Sequence, residues 1–269
     1  MPENPYRQIE KGEAGRIGWR IHYLEEIDST QRAGRELASG GAAAGTVVIA
    51  ERQTAGRGRL GRSWHSPSGV SLYSTTILRP KMPLAKVPQI SLMAGLAAAD
   101  AIARVAPGLV ALKWPNDLWL KGRKTGGIIA EAVTDDKSEL ETVLLGIGIN
   151  VNLSANDLPE ELRERATSIR IATGRVCDRI EVADSLFSSL DSRYMELLAS
   201  GFTPMQPAWE RYSALTGKRV AIVNGGRRVE GTVRGVDDEG ALMLDLGARL
   251  ERIVAGEVSV EGAYAWGTT

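Results

Sequence analysis

The sequence predicts an α+β protein with a mixed α/β domain over residues 1–214 and a small all-β domain over residues 215–269. The chain of 269 residues is long enough for one large and one small domain. Apolar segments of strand length and of helix length alternate through the first part, whereas the last part has only short strands between tight turns. We therefore expect a mixed sheet with helices, followed by a small barrel of the SH3-like kind.

Short apolar or alternating segments predict six strands in the larger domain, at residues 19–27, 46–50, 71–78, 109–114, 126–133 and 142–151. A first helix is predicted at 31–39, where Asp28, Ser29 and Thr30 supply N-cap residues. A second, at 88–106, begins with proline and is rich in alanine. A third is predicted at 182–198, where apolar residues recur at helical spacing.

The segments predicted as strands in the smaller domain are KRVAIV, RRVEGTVRGV, ALMLDL, RLERIV and EVSVEG, all after Leu215. The dipeptide Asn224-Gly225 lies between the first two, and Asn-Gly is a strong signal for a two-residue hairpin turn. Five short strands in so few residues favour a small barrel.

Composition excludes several classes of protein. Lys plus Arg equals Asp plus Glu at 33 each, so no net positive field attracts a nucleic acid. No apolar run approaches the ~18 residues of a membrane span, and the N-terminus lacks the apolar core of a signal peptide, so we expect a cytoplasmic protein that inserts into no membrane. Cys177 is the single cysteine, and His22 and His65 are far apart, so we predict neither an intrachain disulfide nor a metal-ligand cluster.

Residues 51–64, ERQTAGRGRLGRSW, form the most informative segment, which we call the Arg-Gly loop. Its core, GRGRLGR, has three glycines for close backbone approach and three arginines for bidentate contact with phosphate or carboxylate. The spacing G-x-G-x-x-G also occurs in dinucleotide-binding folds, but no helix begins at Gly61 and no acid follows at the required distance. A protein kinase is excluded because HRD and DFG motifs are missing. We predict a mobile loop that grips an anion; a solvated loop that touches RNA is the alternative.

A second segment, residues 113–129 with the sequence KWPNDLWLKGRKTGGII, places polar side chains near one strand end. Lys113, Asn116, Asp117 and Lys124 lie close to the pair Gly126-Gly127, where a backbone can approach a ligand. The alternative is an ordinary polar turn. Together with the Arg-Gly loop, this segment favours an enzyme that acts on a nucleotide.

Four motifs in order resemble the biotin-protein ligases, of the monofunctional type without an N-terminal DNA-binding domain: DST at 28–30, GRGRLGRSW at 56–64, KWPNDLWLKGRKTGGIIAE at 113–131 and GIGINVN at 146–152. The resemblance covers nearly the whole chain from Trp19. It implies the class II synthetase-like catalytic domain of biotin and lipoate ligases, followed by an SH3-like C-terminal domain.

The resemblance also implies a two-step reaction. The carboxylate of biotin would attack the α-phosphate of ATP to give biotinyl-5′-AMP and pyrophosphate, with Mg²⁺ inferred from the nucleotide chemistry. A lysine of a biotin carboxyl carrier domain would then attack the acyl carbon. Lipoate-protein ligase uses the same adenylation logic and is the close alternative; a pure binding module is a further one.

A transcriptional regulator is also an alternative, since some biotin ligases bind DNA through an N-terminal winged helix and repress transcription. Only 27 residues precede Asp28, so we expect no specific DNA binding. A homodimer is possible, because family members can pair sheets edge to edge through strands such as residues 142–151.

The resemblance assigns roles to named residues. The catalytic residues are Lys124, Arg59 and Asp117. The residues expected to bind biotin are Ser29, Thr30, Gln31, Gln53, Gly56, Arg57, Gly58, Arg59, Trp64, Lys124, Gly127, Ile128, Gly146 and Gly148. The residues expected to bind ATP are Arg57, Arg59, Arg62, Lys113, Asn116, Asp117, Lys124 and Asn150. The adenine-covering segment is expected within residues 164–171.

Overall fold

A seven-stranded mixed sheet forms the centre of the larger domain in a computed structural model, which describes residues 3–224 and 226–260. The strand order is β1-β2-β3-β7-β6-β5-β4; β1 and β2 are parallel and the other pairs are antiparallel. The strands are β1 (Ile21–Ile27), β2 (Val47–Gln53), β3 (Leu72–Leu78), β4 (Val110–Lys113), β5 (Asp117–Leu120), β6 (Arg123–Thr134) and β7 (Leu140–Ile149).

The described residues contain five α-helices beside this sheet: α1 (Thr30–Ser39), α2 (Val87–Val105), α3 (Ile169–Thr173), α4 (Arg179–Ser200) and α5 (Gln206–Tyr212). Helix α2 has 13 buried residues out of 19, six of them alanine or glycine, so it packs closely between α4 and the sheet. Among the described residues, no helix has both the length and the apolar character needed to cross a membrane.

Helix α1 begins at the end of the first strand. The Ser29 hydroxyl accepts a hydrogen bond from the Gln31 backbone N–H at 3.2 Å, as an N-cap residue does. A Cβ on Gly34 would lie 2.9 Å from Cγ2 of Thr75, so glycine lets α1 lie close to β3. The helix therefore holds Ser29 and Thr30 at one end of the sheet.

The second sheet contains five antiparallel strands in the order β11-β10-β9-β8-β12. They are β8 (Arg219–Asn224), β9 (Arg227–Val236), β10 (Leu242–Asp245), β11 (Leu250–Ile253) and β12 (Glu257–Val260). The five predicted strands are thus confirmed. Strands β8 and β9 pair as the Asn224-Gly225 hairpin requires, although Gly225 itself lies outside the described residues. Closure of the sheet into a barrel, and the domain boundary at 214–215, stay predictions.

All six strands and three helices predicted for the larger domain are present, with ends displaced by at most three residues. Strand β5, α3 and α5 were not predicted. No element was predicted for residues 118–120, although Leu118 and Leu120 are fully buried and alternate with more exposed neighbours. Strand β7 lies between β3 and β6, so its backbone groups over residues 143–149 are already paired on both sides and offer no free sheet edge there. A homodimer stays a prediction.

A buried ion pair joins β2 to α4. Arg179 Nη1 donates to the Glu51 carboxylate at 2.8 Å, and its side chain and that of Glu51 are only 21% and 11% exposed. The same nitrogen donates to the Tyr6 hydroxyl at 3.3 Å and to the Ser71 carbonyl at 3.2 Å. This cluster fixes the end of β2 that leads into the Arg-Gly loop.

We predict that Glu51→Ala lowers the free energy of unfolding by about 3 kcal/mol, because it leaves the half-buried Arg179 without its counterion. Urea denaturation measures this. Arg52→Ala is the matched control on the same strand: the Arg52–Glu26 pair is more than half exposed, so its loss is expected to change stability by less than about 1 kcal/mol. Equal losses in the two variants would contradict the prediction.

Candidate functional site

Two adjoining pockets open where the Arg-Gly loop crosses the ends of β5, β6 and β7. The small pocket has a volume of about 500 Å³ and the large pocket about 1410 Å³. Five residues line both pockets: Gly58, Arg59, Trp64, Asn116 and Lys124. A ligand in one pocket would therefore meet a ligand in the other at this shared wall.

Glycines form much of the floor of the small pocket. Gly127 pairs with Gly148, and Ile129 with Gly146, across β6 and β7. A Cβ on Gly146 would lie 3.1 Å from Cδ of Gln31, and one on Gly148 would lie 2.9 Å from Nε1 of Trp64. The missing Cβ atoms let these two side chains lie against the strands.

A chain of hydrogen bonds fixes the polar end of the small pocket. The Thr75 hydroxyl donates to that of Thr30 at 2.9 Å, and Thr30 donates to Oε1 of Gln53 at 3.1 Å. Gln53 Nε2 donates to the Ser66 hydroxyl at 3.1 Å, which orients the Gln53 amide. Within the described part of the chain, Gln31 Oε1 and Trp64 Nε1 are buried without a hydrogen-bond partner. An acceptor and a donor thus remain for a ligand.

The Arg-Gly loop lies against the sheet in this structure. Arg59 Nη1 donates to Oδ1 of Asn116 at 3.0 Å, and Asn116 Nδ2 donates to the Ile128 carbonyl at 2.8 Å. Arg62 forms a 2.5 Å ion pair with Glu257 of β12, so the loop contacts both sheets. Burial lowers the pKa of Arg59, although a guanidinium stays charged at neutral pH.

Lys124 stands at the shared wall. Its Nζ lies 2.6 Å from the Asp117 carboxylate and 5.4 Å from the ring centre of Trp64. Its backbone N–H donates to the Arg165 carbonyl at 2.9 Å, and its carbonyl accepts from the Thr167 N–H at 2.8 Å. The backbone is fixed on a strand while the flexible stem leaves the ammonium able to follow a reacting anion.

The large pocket combines cations with an apolar wall. Lys113 is 6% exposed, its Nζ lies 5.2 Å from the ring centre of Trp119, and burial lowers its pKa. The apolar part of the wall is formed by Trp114, Leu153, Leu158, Leu162 and Ala166. Residues of β12 line the opposite side, including Glu257 and Val258. Among residues 3–224 and 226–260, no three His, Cys, Asp or Glu side chains group as metal ligands would.

The structure brings the predicted site residues together, with one exception. Gly56 lines neither pocket; a Cβ there would lie 2.7 Å from both the Ser66 hydroxyl and the Trp64 carbonyl, so glycine lets the base of the loop close. Arg57, expected at both ligands, lines only the small pocket.

Sequence reasoning missed Tyr73 and Ser74 in the small pocket, and Leu153, Leu158 and Leu162 in the large pocket. The three leucines lie just before the segment 164–171 that was expected to cover a base. The available signal was the recurrence of leucine at 153, 158 and 162 in the largely polar segment that follows GINVN.

This chain is similar to known proteins in both sequence and structure. The sequence profile described as the Biotin/lipoate A/B protein ligase family matches residues 23–150, and the profile described as the Biotin protein ligase C terminal domain matches residues 215–260. A bifunctional ligase/repressor from Bacillus subtilis is 38% identical over 91% of this chain and 75% of its own. The biotin--[acetyl-CoA-carboxylase] ligase of Mycobacterium tuberculosis is 36% identical over 90% of this chain and 89% of its own.

Among solved structures, the biotin protein ligase from Aquifex aeolicus in complex with biotin and ATP aligns with a TM-score of 0.79 and 30% identity. The alignment covers 90% of this chain and 98% of that one.

We predict that Gly148→Ala lowers the free energy of unfolding by about 1–3 kcal/mol, since the added Cβ would force the rigid Trp64 indole to move. Gly127→Ala on the paired strand is the matched control: its Cβ would meet the nearest atoms at 3.5 Å or more, which is ordinary contact. Thermal or urea unfolding compares the two. Equal stability of the two variants would show that Trp64 does not lie on the floor of the small pocket.

Proposed function

The chain belongs to the biotin protein ligase family, and we propose that it forms biotinyl-5′-AMP from biotin and ATP and transfers biotin to a lysine of a biotin carboxyl carrier domain. The observation that carries this proposal is the position of Lys124 at the wall shared by two pockets of different character. One pocket suits a small apolar acid with a polar ring, and the other suits a nucleotide.

Biotin is assigned to the small pocket. The ureido ring requires both donors and acceptors, and Ser29, Thr30, Gln31 and Gln53 supply them at one end of the pocket. Trp64 and the glycine-rich strands supply the apolar walls that a bicyclic body needs. Arg57 and Arg59 also line this pocket and would supply cations to the biotin carboxylate.

ATP is assigned to the large pocket. The apolar wall at Leu153, Leu158 and Leu162 suits the base, whereas Arg62, Lys113 and Asn150 suit the phosphates and sugar. The Asp117 carboxylate and the Asn150 amide lie in the same pocket, and oxygen ligands of this kind suit Mg²⁺ bound to a triphosphate. When bound, Mg²⁺ would neutralise part of the phosphate charge.

Adenylate formation must bring two anions together. Like charges about 4 Å apart repel by roughly 4 kcal/mol at an effective dielectric constant of about 20. Lys124 and Arg59 line both pockets, so each can contact the biotin carboxylate and the α-phosphate at once. The carboxylate oxygen then forms a bond to phosphorus while pyrophosphate leaves, and the two cations stabilise the charge that develops.

Transfer to the carrier requires a neutral lysine. Asp117 is proposed to orient and deprotonate the incoming ammonium, because its carboxylate lies beside Lys124 where the acyl carbon would be. The carrier amine attacks that carbon, and AMP leaves with the electrons of the acyl–oxygen bond. The acceptor is a carboxylase carrier domain, as the name of the Mycobacterium tuberculosis relative indicates for that protein.

The names of similar proteins favour biotin over lipoate. Where a relative or solved structure at 30% identity or more has a substrate in its name, that name includes biotin. A cytoplasmic location and the lack of specific DNA binding stay predictions.

The proposed function predicts pyrophosphate release when biotin, ATP and Mg²⁺ are added, followed by biotinylation of an added carrier domain. Lys124→Ala is expected to lower the rate of pyrophosphate release by at least about 100-fold, because it removes the cation at the meeting point. Lys121→Ala is the matched control: Lys121 lies on the same hairpin but donates to the Ala172 carbonyl at 2.7 Å. No transfer to the carrier by the unmodified chain, or equal rates in both variants, would contradict the proposal.

Asp117→Asn is expected to separate the two half-reactions. Transfer from preformed biotinyl-5′-AMP to the carrier should fall by about 10²- to 10⁴-fold, the usual contribution of a general base. Adenylate formation should fall less, since the amide keeps the shape of the side chain and Lys124 itself is unaltered. Single-turnover transfer to the carrier is measured once from biotin with ATP and once from preformed biotinyl-5′-AMP without ATP, which distinguishes the two steps. An equal loss in both steps would assign Asp117 to positioning Lys124 alone.

A further inference from the structure

The turn between β9 and β10, residues 237–241, has a fixed shape. The backbone N–H of Asp237 donates to the Ala241 carbonyl at 2.9 Å, and that of Gly240 donates to the Asp237 carbonyl at 3.0 Å. The Asp237 carboxylate accepts the N–H groups of Glu239 and Ala241 at 3.0 and 2.8 Å. These four hydrogen bonds make the β9–β10 turn a rigid surface.

This turn holds the wall of the large pocket. Nε1 of Trp114, a residue that is 3% exposed, donates to the Gly240 carbonyl at 3.1 Å. Gln89 Nε2 on α2 donates to the Glu239 carbonyl at 3.3 Å. Trp114 directly follows Lys113 and is two residues from Asn116, so the turn contacts the segment that carries the proposed nucleotide-binding side chains.

The backbone conformation and the close packing at position 240 both require glycine. Its φ is +84°, which favours glycine, and a Cβ there would lie 2.2 Å from Cδ1 of Leu92 on α2. Leu92 is 2% exposed and cannot move into solvent. The turn therefore packs against α2 closely enough for the Gly240 carbonyl to accept a hydrogen bond from the Trp114 indole.

We propose that the β9–β10 turn positions the nucleotide-binding segment after β4, with Gly240 as the positioning residue. Gly240 lines neither pocket and acts through Trp114. Trp114 lines only the large pocket, and Asn116, which lines both pockets, is held by its own 2.8 Å hydrogen bond to the Ile128 carbonyl. The effect therefore falls on ATP and leaves biotin binding unchanged. The inference rests on the proposed function for the identity of the two ligands, and it gives the second sheet a role in nucleotide binding.

Gly240→Ala should raise the Kd and KM for ATP about tenfold, the change expected for the loss of one buried hydrogen bond. The Kd for biotin, measured by calorimetry without ATP, should stay at the wild-type value. Adding Leu92→Val to this variant removes the atom that the new Cβ would strike, and should restore most of the ATP affinity.

Trp114→Phe keeps an aromatic wall but lacks the donor, and should raise the Kd for ATP in the same way. Trp19→Phe is the matched control: it breaks a 3.1 Å hydrogen bond from Trp19 Nε1 to the Thr46 hydroxyl, away from both pockets, and should leave ATP binding unchanged.

The inference is overturned if ATP binds Gly240→Ala and Trp114→Phe as it binds the unmodified chain. It is equally overturned if biotin and ATP binding weaken together in these variants, which would indicate a general loosening of the fold. Because the ATP Kd is measured directly, an unmodified chain that binds ATP but forms no biotinyl-5′-AMP contradicts the proposed function and not this inference.

Discussion

Repulsion between a carboxylate and a triphosphate is the constraint around which this site is built. The structure places an ammonium, that of Lys124, and a guanidinium, that of Arg59, on the wall that two pockets share. Lys124 comes from a strand whose backbone is bonded to residues 165 and 167, and Arg59 is bonded to Asn116. Neither cation has to be recruited from solvent when the anions arrive, so little reorganisation accompanies the reaction.

Close backbone approach is the second requirement, and glycine meets it at several places. Gly146 and Gly148 leave room on β7 for Gln31 and Trp64, and Gly56 leaves room for the base of the Arg-Gly loop. Gly240 leaves room in the same way between the β9–β10 turn and α2. In each case a Cβ would lie at about 3 Å or less from another residue. The glycines therefore make room for the side chains that line the pockets, while the charged side chains determine which ligands bind there.

Much of this arrangement could be predicted from the sequence, and the missing parts have physical reasons. Apolar periodicity predicted six strands and three helices of the larger domain, and the order of the motifs indicated the family. Strand β5 was missed because Pro115, Asn116 and Asp117 suit a turn, whereas the residues after them form a strand by pairing with β4 and β6. The apolar wall at Leu158 and Leu162 and the contact of Gly240 with Trp114 depend on chain segments far apart in sequence, which local patterns do not report.

A crystal structure of the chain with biotinyl-5′-AMP tests the central claim most directly. The account predicts the ureido ring beside Thr30 and Gln53, the adenine beside Leu158, and the Lys124 ammonium within hydrogen-bonding distance of both the acyl and the phosphate oxygens. An adenylate bound with the Lys124 ammonium out of reach of its acyl and phosphate oxygens, or with its two halves outside the two pockets, would contradict it.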